Sequence, residues 1–172
     1  EVKGKTEVIE FFSFACPGCY QIHRQIMAWA RKLPADVNFR RVAISFAKPG
    51  WEPLARAFYA LEATGDLHRV DTALFDAIHK ERQPLFDQKS ITAWMVAHGV
   101  DGTKFTSAWN SFGVSTRMAQ NNRILTSYQV GSVPAVVVDG RYNVLGNSFD
   151  EMLVNASAVI TKVKAERPAK KS

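Results

Sequence analysis

The segment Glu7 to Phe14 (EVIEFFSF) is a short apolar, β-prone run with almost no polar alternation, the pattern of a strand buried on both faces. Such a strand belongs in the centre of a sheet covered by helices on two sides. It gives way at Cys16 to a helical period, with Ile22, Ile26, Met27 and Ala30 on one face and a stop at Leu33-Pro34. Val37 to Phe46 (VNFRRVAISF) then returns as a second strand. A strand, a helix and a returning strand define a parallel, right-handed βαβ unit.

The chain's only two cysteines lie at the junction, in Cys16-Pro17-Gly18-Cys19. Two intervening residues let both sulfurs meet on one helical turn. The first sits at the helix N-terminus, where free N–H groups and the helix dipole favour a thiolate. The carboxyl end of a strand in an open α/β sheet is also where such folds place their sites. A redox dithiol is therefore the first reading. A structural zinc would need four ligands, and His23, His68, His79 and His98 are scattered without ligand spacing, so they read as surface or packing residues. A purely structural disulfide would close so short a loop that it supplies only about 2 kcal/mol. Two cysteines alone would suit Cu(I) better than zinc in a thiol metal carrier.

From about Gly50 to about Arg123 the period is helical, punctuated by Gly65, Pro84, Gly99, Gly102 and Gly113. Four or five helices are expected, with Ser90 and Asp101 as N-caps. A block of this length is too long for a loop and reads as an inserted helical subdomain. Strand character resumes at Pro134 to Val138, and Asp139-Gly140 predicts a two-residue hairpin turn returning through Arg141 to Leu145. Phe149 to Val163 has the spacing of a helix that covers one sheet face. The expected organisation is a discontinuous α/β domain over 1–49 and 124–166, a helical insert over 50–123, and a basic tail over 167–172.

The 172 residues are 47 % hydrophobic, enough for a real core, and no uninterrupted apolar run reaches the roughly 18 residues a spanning helix requires. The net charge of +6 invites a nucleic-acid reading, but Lys162, Lys164, Arg167, Lys170 and Lys171 concentrate the excess at the C-terminus. With no basic stripe interleaved with aromatics, nucleic-acid binding is not expected. The sequence opens in mid-pattern at Glu1 without a signal peptide, as a mature or trimmed product would, so export stays open.

The order βαβ, helices, ββα, with EFFSFACPGCY around the dithiol, AWNSF at Ala108 to Phe112 and YQVGSVPAVVVDGRY at Tyr128 to Tyr142, resembles the DsbA-like disulfide oxidoreductases of the thioredoxin superfamily. The resemblance implies a thioredoxin fold with an inserted helical subdomain, an exposed nucleophile at Cys16 and a more buried partner at Cys19. Val133-Pro134 resembles the family's cis-proline loop, which faces the dithiol and offers backbone groups to a bound peptide. Glu10, an acid inside an apolar strand, matches a buried acid that assists proton transfer from the second cysteine. The alternative for Glu10 is an ion pair with Arg41, and the two are compatible. Gly18 departs from the strongly oxidising members, which carry histidine there, and this implies a weaker oxidant with a Cys16 pKa above theirs.

By resemblance, the activity is donation of the Cys16–Cys19 disulfide to exported, folding polypeptides through a mixed disulfide at Cys16. A more reducing reductase or isomerase is the alternative, although family isomerases carry a dimerisation domain and usually threonine before the cis-proline. The expected setting is a bacterial periplasm, with a monomeric protein, no bound cofactor and a DsbB-like, quinone-linked membrane reoxidant.

Overall fold

The computed structural model describes residues 4–167. Its sheet comprises β1 (Thr6–Phe12), β2 (Val37–Ala43), β3 (Ala135–Val138) and β4 (Tyr142–Val144), in the order β2-β1-β3-β4. β1 pairs parallel with β2 and antiparallel with β3, so it is an inner strand, and every one of its residues is buried. Between β1 and β2 runs α1 (Pro17–Ala30), and α7 (Phe149–Glu166) follows β4. The helical block contains α2 (Glu52–Thr64), α3 (Leu67–His79), α4 (Gln88–Ala97), α5 (Gly102–Trp109) and α6 (Phe112–Ser127). This is a mixed α/β thioredoxin-like fold with a helical insertion between β2 and β3. Among the described residues no helix is long and apolar enough to cross a membrane.

Alternation along β1 distributes the core. Val8 joins Ile22 and Ile26 of α1 and Leu153, Ala156 and Ile160 of α7 on one face of the sheet. Ile9 and Phe11 turn to the other face, against Val42, Leu125 and Val130. Phe12 and Phe14 lead into the insertion, where they pack with Phe58 and Phe75 at ring separations of 4.8 to 6.3 Å. Each of these fully buried phenylalanines is worth about 1.5–3 kcal/mol in apolar transfer. The loop that carries the dithiol is thus fastened to both units.

Several boundaries differ from the sequence expectation. β1 ends at Phe12 rather than Phe14, because Ser13 turns the chain: its carbonyl accepts from Cys16 N and its hydroxyl from Ala15 N. β2 ends at Ala43 rather than Phe46, since Phe46 and Ala47 take positive φ and Lys48 N closes a turn onto Ser45 O. α6 continues past Arg123 to Ser127. Asp101 caps α5 as expected, but Ser90 does not cap α4: Asp87 does, and Ser90 supplies the N–H that its carboxylate accepts at 2.8 Å. Asp87 has the extended backbone that an N-cap requires, whereas Ser90 already lies inside the helix. The β3–β4 hairpin has positive φ at Asp139 and Gly140, but Val138 pairs with Tyr142, leaving three intervening residues rather than two. Of the basic tail, Arg167 donates to Lys5 O and Asp139, while 168–172 lie outside the described residues.

Candidate active site

Cys16 is the N-cap of α1 and Pro17 its first residue, where proline's missing N–H costs nothing. The Cys16 sulfur accepts from Cys19 N at 3.2 Å and, as a thiol, donates to the carbonyl of Val133 at 3.5 Å. The Val133–Pro134 peptide is cis. Both cysteines are free thiols, and Cys19 is fully buried. The sequence implies an exposed Cys16, yet only 5 % of it is exposed, with its sulfur set against the Val133 carbonyl. Its sulfur is nevertheless the outer one of the pair.

The two thiols are driven apart. The Cys16 thiol is brought down to about 7, first by the hydrogen bond from the Cys19 thiol. Burial opposes this, while the backbone N–H groups of Cys19 and Gly18 and the charge of Lys48 add to it. The leading cause is therefore the partner sulfur rather than the helix terminus alone. Burial, followed by the Cys16 interaction, pushes Cys19 strongly upward. Cys16 is the group that ionises near neutrality.

Beneath the dithiol, Glu10 lies on the sheet face that α1 covers, in register with Arg41 of β2. Arg41 Nε donates to Glu10 Oε2 at 2.9 Å, so the ion pair exists. Arg41 Nη1 also donates to Asp71 Oδ2 at 2.6 Å, and the guanidinium lies 4.0 Å above the Phe12 ring. Burial raises the Glu10 carboxyl despite Arg41. His23, on α1, contacts Thr72 Oγ1 at 2.9 Å and stands 3.7 Å from Asp71 Oδ2. Burial lowers its imidazole to about 4.

Gly18 and Pro134 meet across the site. A Cβ on Gly18 would lie 3.2 Å from Pro134 Cδ, 3.7 Å from the Phe149 ring and 3.9 Å from Cys16 Sγ. Beside them, a groove of about 460 Å³ is lined by Pro134, Val144, Leu145, Phe149 and Met152, with Ser132, Asn143 and Asn147 at its polar points. A larger cleft of about 720 Å³ lies elsewhere, between Arg41, Asp71, His68 and Arg117, and does not reach the dithiol. Among the described residues, no group of three or more His, Cys, Asp or Glu side chains is placed to hold a metal ion.

The structure gathers Cys16, Pro17, Gly18, Cys19, Val133 and Pro134 at one place, with Glu10 below them. The sequence reading missed Asp71, His23 and Phe149. Asp71 had a signal: it is an acid on the apolar stripe Leu67, Leu74, Ile78 of α3, where a buried polar partner is implied. Phe149 had none, because its neighbours Gly18 and Pro134 are remote in sequence.

The fold and site define a thioredoxin-like protein with a cysteine pair at a helix N-terminus opposite a proline loop. Residues 7–158 match the DSBA-like thioredoxin domain, and the chain belongs to that family. It is 42 % identical over 139 residues to the thiol:disulfide interchange protein DsbA of Azotobacter vinelandii, a match covering 81 % of this chain and 64 % of that protein. The chain thus spans just under two thirds of that relative. The protein of the same name from Pseudomonas aeruginosa is 38 % identical over 165 residues, covering 94 % and 78 %. The crystal structure of Pseudomonas aeruginosa DsbA is similar with a TM-score of 0.89 at 36 % identity, over 95 % of this chain and 86 % of that one.

Proposed function

We propose that the protein is a thiol:disulfide oxidoreductase that donates its Cys16–Cys19 disulfide to reduced, exported polypeptides. The observation that carries this reading is the geometry at the dithiol: Cys16 caps α1 with its sulfur against the Val133 carbonyl, Cys19 is fully buried behind it, and an open groove lies alongside. A substrate thiolate attacks Cys16 Sγ, the S–S bond breaks, and Cys19 leaves with the electron pair. Glu10 supplies a proton to that sulfur. A second substrate thiolate then attacks the mixed disulfide and releases Cys16 as a thiolate, which is the stable anion of the pair. In this reading the segments 1–49 and 124–166 carry the chemistry and 50–123 covers it.

The groove supports a peptide substrate: apolar side chains would lie against Leu145 and Phe149 while backbone groups pair near Val133. Family membership supports a periplasmic setting and a DsbB-like, quinone-linked membrane partner that restores the disulfide.

A reductase or isomerase of lower potential is favoured by one observation. A Cys16 pKa of about 7 lies near the roughly 7 of thioredoxin rather than the roughly 3.5 of the strongly oxidising DsbA prototype. Equilibration in glutathione buffers, followed by tryptophan fluorescence, separates the two. A potential near about −120 mV supports the disulfide donor, and one near about −270 mV overturns it in favour of the reductase.

A further inference from the structure

Arg41 is shared. One buried guanidinium serves two carboxyls, Glu10 at 2.9 Å through Nε and Asp71 at 2.6 Å through Nη1. Were both carboxyls ionised, the cluster would hold a net negative charge inside the protein, and uncompensated burial costs several kcal/mol per ion. His23 does not balance it, since its imidazole is neutral at pH 7. One proton on the cluster removes the imbalance.

The surroundings decide which carboxyl holds that proton. Glu10 is 1 % exposed, inside the sheet, whereas Asp71 is 9 % exposed and lines the cleft of about 720 Å³ that opens to solvent between α2, α3 and α6. Asp71 also has the shorter contact to the guanidinium. The neutral form is therefore better accommodated at Glu10, the more deeply buried of the two carboxyls. Arg41 from β2 and Asp71 from α3 act on Glu10, Glu10 acts in turn on Cys19 of α1, and His23 of α1 stands by Asp71. From α2, Phe58 lies against the guanidinium, Tyr59 donates its hydroxyl to Ala43 O, and Glu62 lines the cleft.

We propose that Asp71 is a positioning residue for the dithiol: by taking one arm of Arg41 it leaves Glu10 as the carboxyl that carries a proton beneath Cys19. The proposal deepens the oxidoreductase reading and rests on it for its consequence. With Asp71 ionised, the Glu10–Arg41–Asp71 cluster is neutral and Glu10 can protonate the departing Cys19 sulfur, becoming a carboxylate already paired with Arg41. Without the Asp71 charge, Arg41 balances an ionised Glu10, the proton is gone before the reaction begins, and a carboxylate opposes the Cys19 thiolate. The burial that raises Glu10, and the further rise from Asp71, act in the same direction.

The test is carboxyl carbon NMR of the full chain labelled at glutamate, with the Glu10 resonance assigned by its loss in Glu10→Gln. In the wild type, Glu10 should stay protonated at pH values where the exposed glutamates are ionised. In Asp71→Asn its midpoint should fall by about one unit or more. Asp71→Glu should restore it. The redox potential should shift in Asp71→Asn but not when the same change is made in Glu10→Gln. A wild-type Glu10 that ionises with the exposed glutamates overturns the proposal, and it does so even if Asp71→Asn fails to fold. An unmoved midpoint in Asp71→Asn, or an equal potential shift in both backgrounds, also overturns it. None of these NMR readings involves a substrate, so their failure leaves the oxidoreductase reading standing.

Discussion

Cδ of Pro134 stands 3.2 Å from the position a Cβ would take on Gly18, so the spacer of the dithiol is pressed against the proline loop. The same Cβ position lies 3.9 Å from Cys16 Sγ, which puts any side chain at residue 18 within reach of the thiolate. Gly18→His should therefore lower the Cys16 pKa below about 7 after the loop yields by a few tenths of an ångström. Each unit gained below ambient pH makes the disulfide more oxidising by about 30 mV. Thiolate absorbance against pH measures the first effect, with Gly18→Ala as the steric control. Identical titrations for the two variants would remove the electrostatic argument.

Cys16 should react with an alkylating reagent with a midpoint near pH 7, the rate falling about tenfold per unit below it. The same shift is a stability term. The folded reduced protein holds this thiol at about 7 against an ordinary 9, so its contribution is fully present above pH 9 and is lost as the pH falls to 7. Reduced protein should gain about 1.5 kcal/mol between pH 7 and pH 9, because the raised Cys19 thiol takes back part of the Cys16 gain as the unfolded chain ionises, and oxidised protein should gain none of it. Urea unfolding of both forms at pH 7 and pH 9 checks the difference.

His23 predicts an acid sensitivity that does not involve the thiols. It is buried and neutral in the folded chain but protonates at its ordinary 6.5 when unfolded, so falling pH favours unfolding between 6.5 and about 4. The loss should approach about 3 kcal/mol at pH 4. His23→Phe keeps a ring against Phe75, which now lies 4.7 Å away, and should flatten the profile in this window. An unchanged slope in that variant would assign the acid loss to other groups.

Leu145 is 77 % exposed at the edge of the groove, an unusual place for a leucine that binds nothing. Leu145→Ser should raise KM for a reduced peptide by up to about tenfold, from roughly 1–1.5 kcal/mol of lost apolar contact, and leave oxidation of a small thiol unchanged. Parallel loss on both substrates would mean that the groove does not hold the peptide.

Much of the fold can be read from local pattern. β1, α1, β2 and the hairpin follow from periodicity and punctuation, and the misread points are places where short-range competition decided. Ser90 looked like a cap, but Asp87 three residues earlier had both the side chain and the extended backbone. Phe14 and Phe46 look like strand residues, yet each lies inside a turn that opens at a serine, Ser13 or Ser45, and Phe14 is buried by the insertion rather than by the sheet. The Glu10–Arg41 pair was legible because both residues break apolar strands that run side by side. Asp71 was not paired with them, since its partner lies 30 residues away on another element.

The sequence alone determined what depends on neighbours along the chain: the spacing of the cysteines, the helix that starts at Cys16, the doubly buried strand before it and the helical character of the insert. Tertiary structure decided what depends on burial and on groups brought together from afar. It set the Val133 carbonyl against Cys16 across 117 residues, closed the outer thiol to 5 % exposure and divided one guanidinium between two acids. Periodicity reports which face of an element is apolar, but a pKa answers to the dielectric and charges around a side chain, and those exist only once the elements have packed.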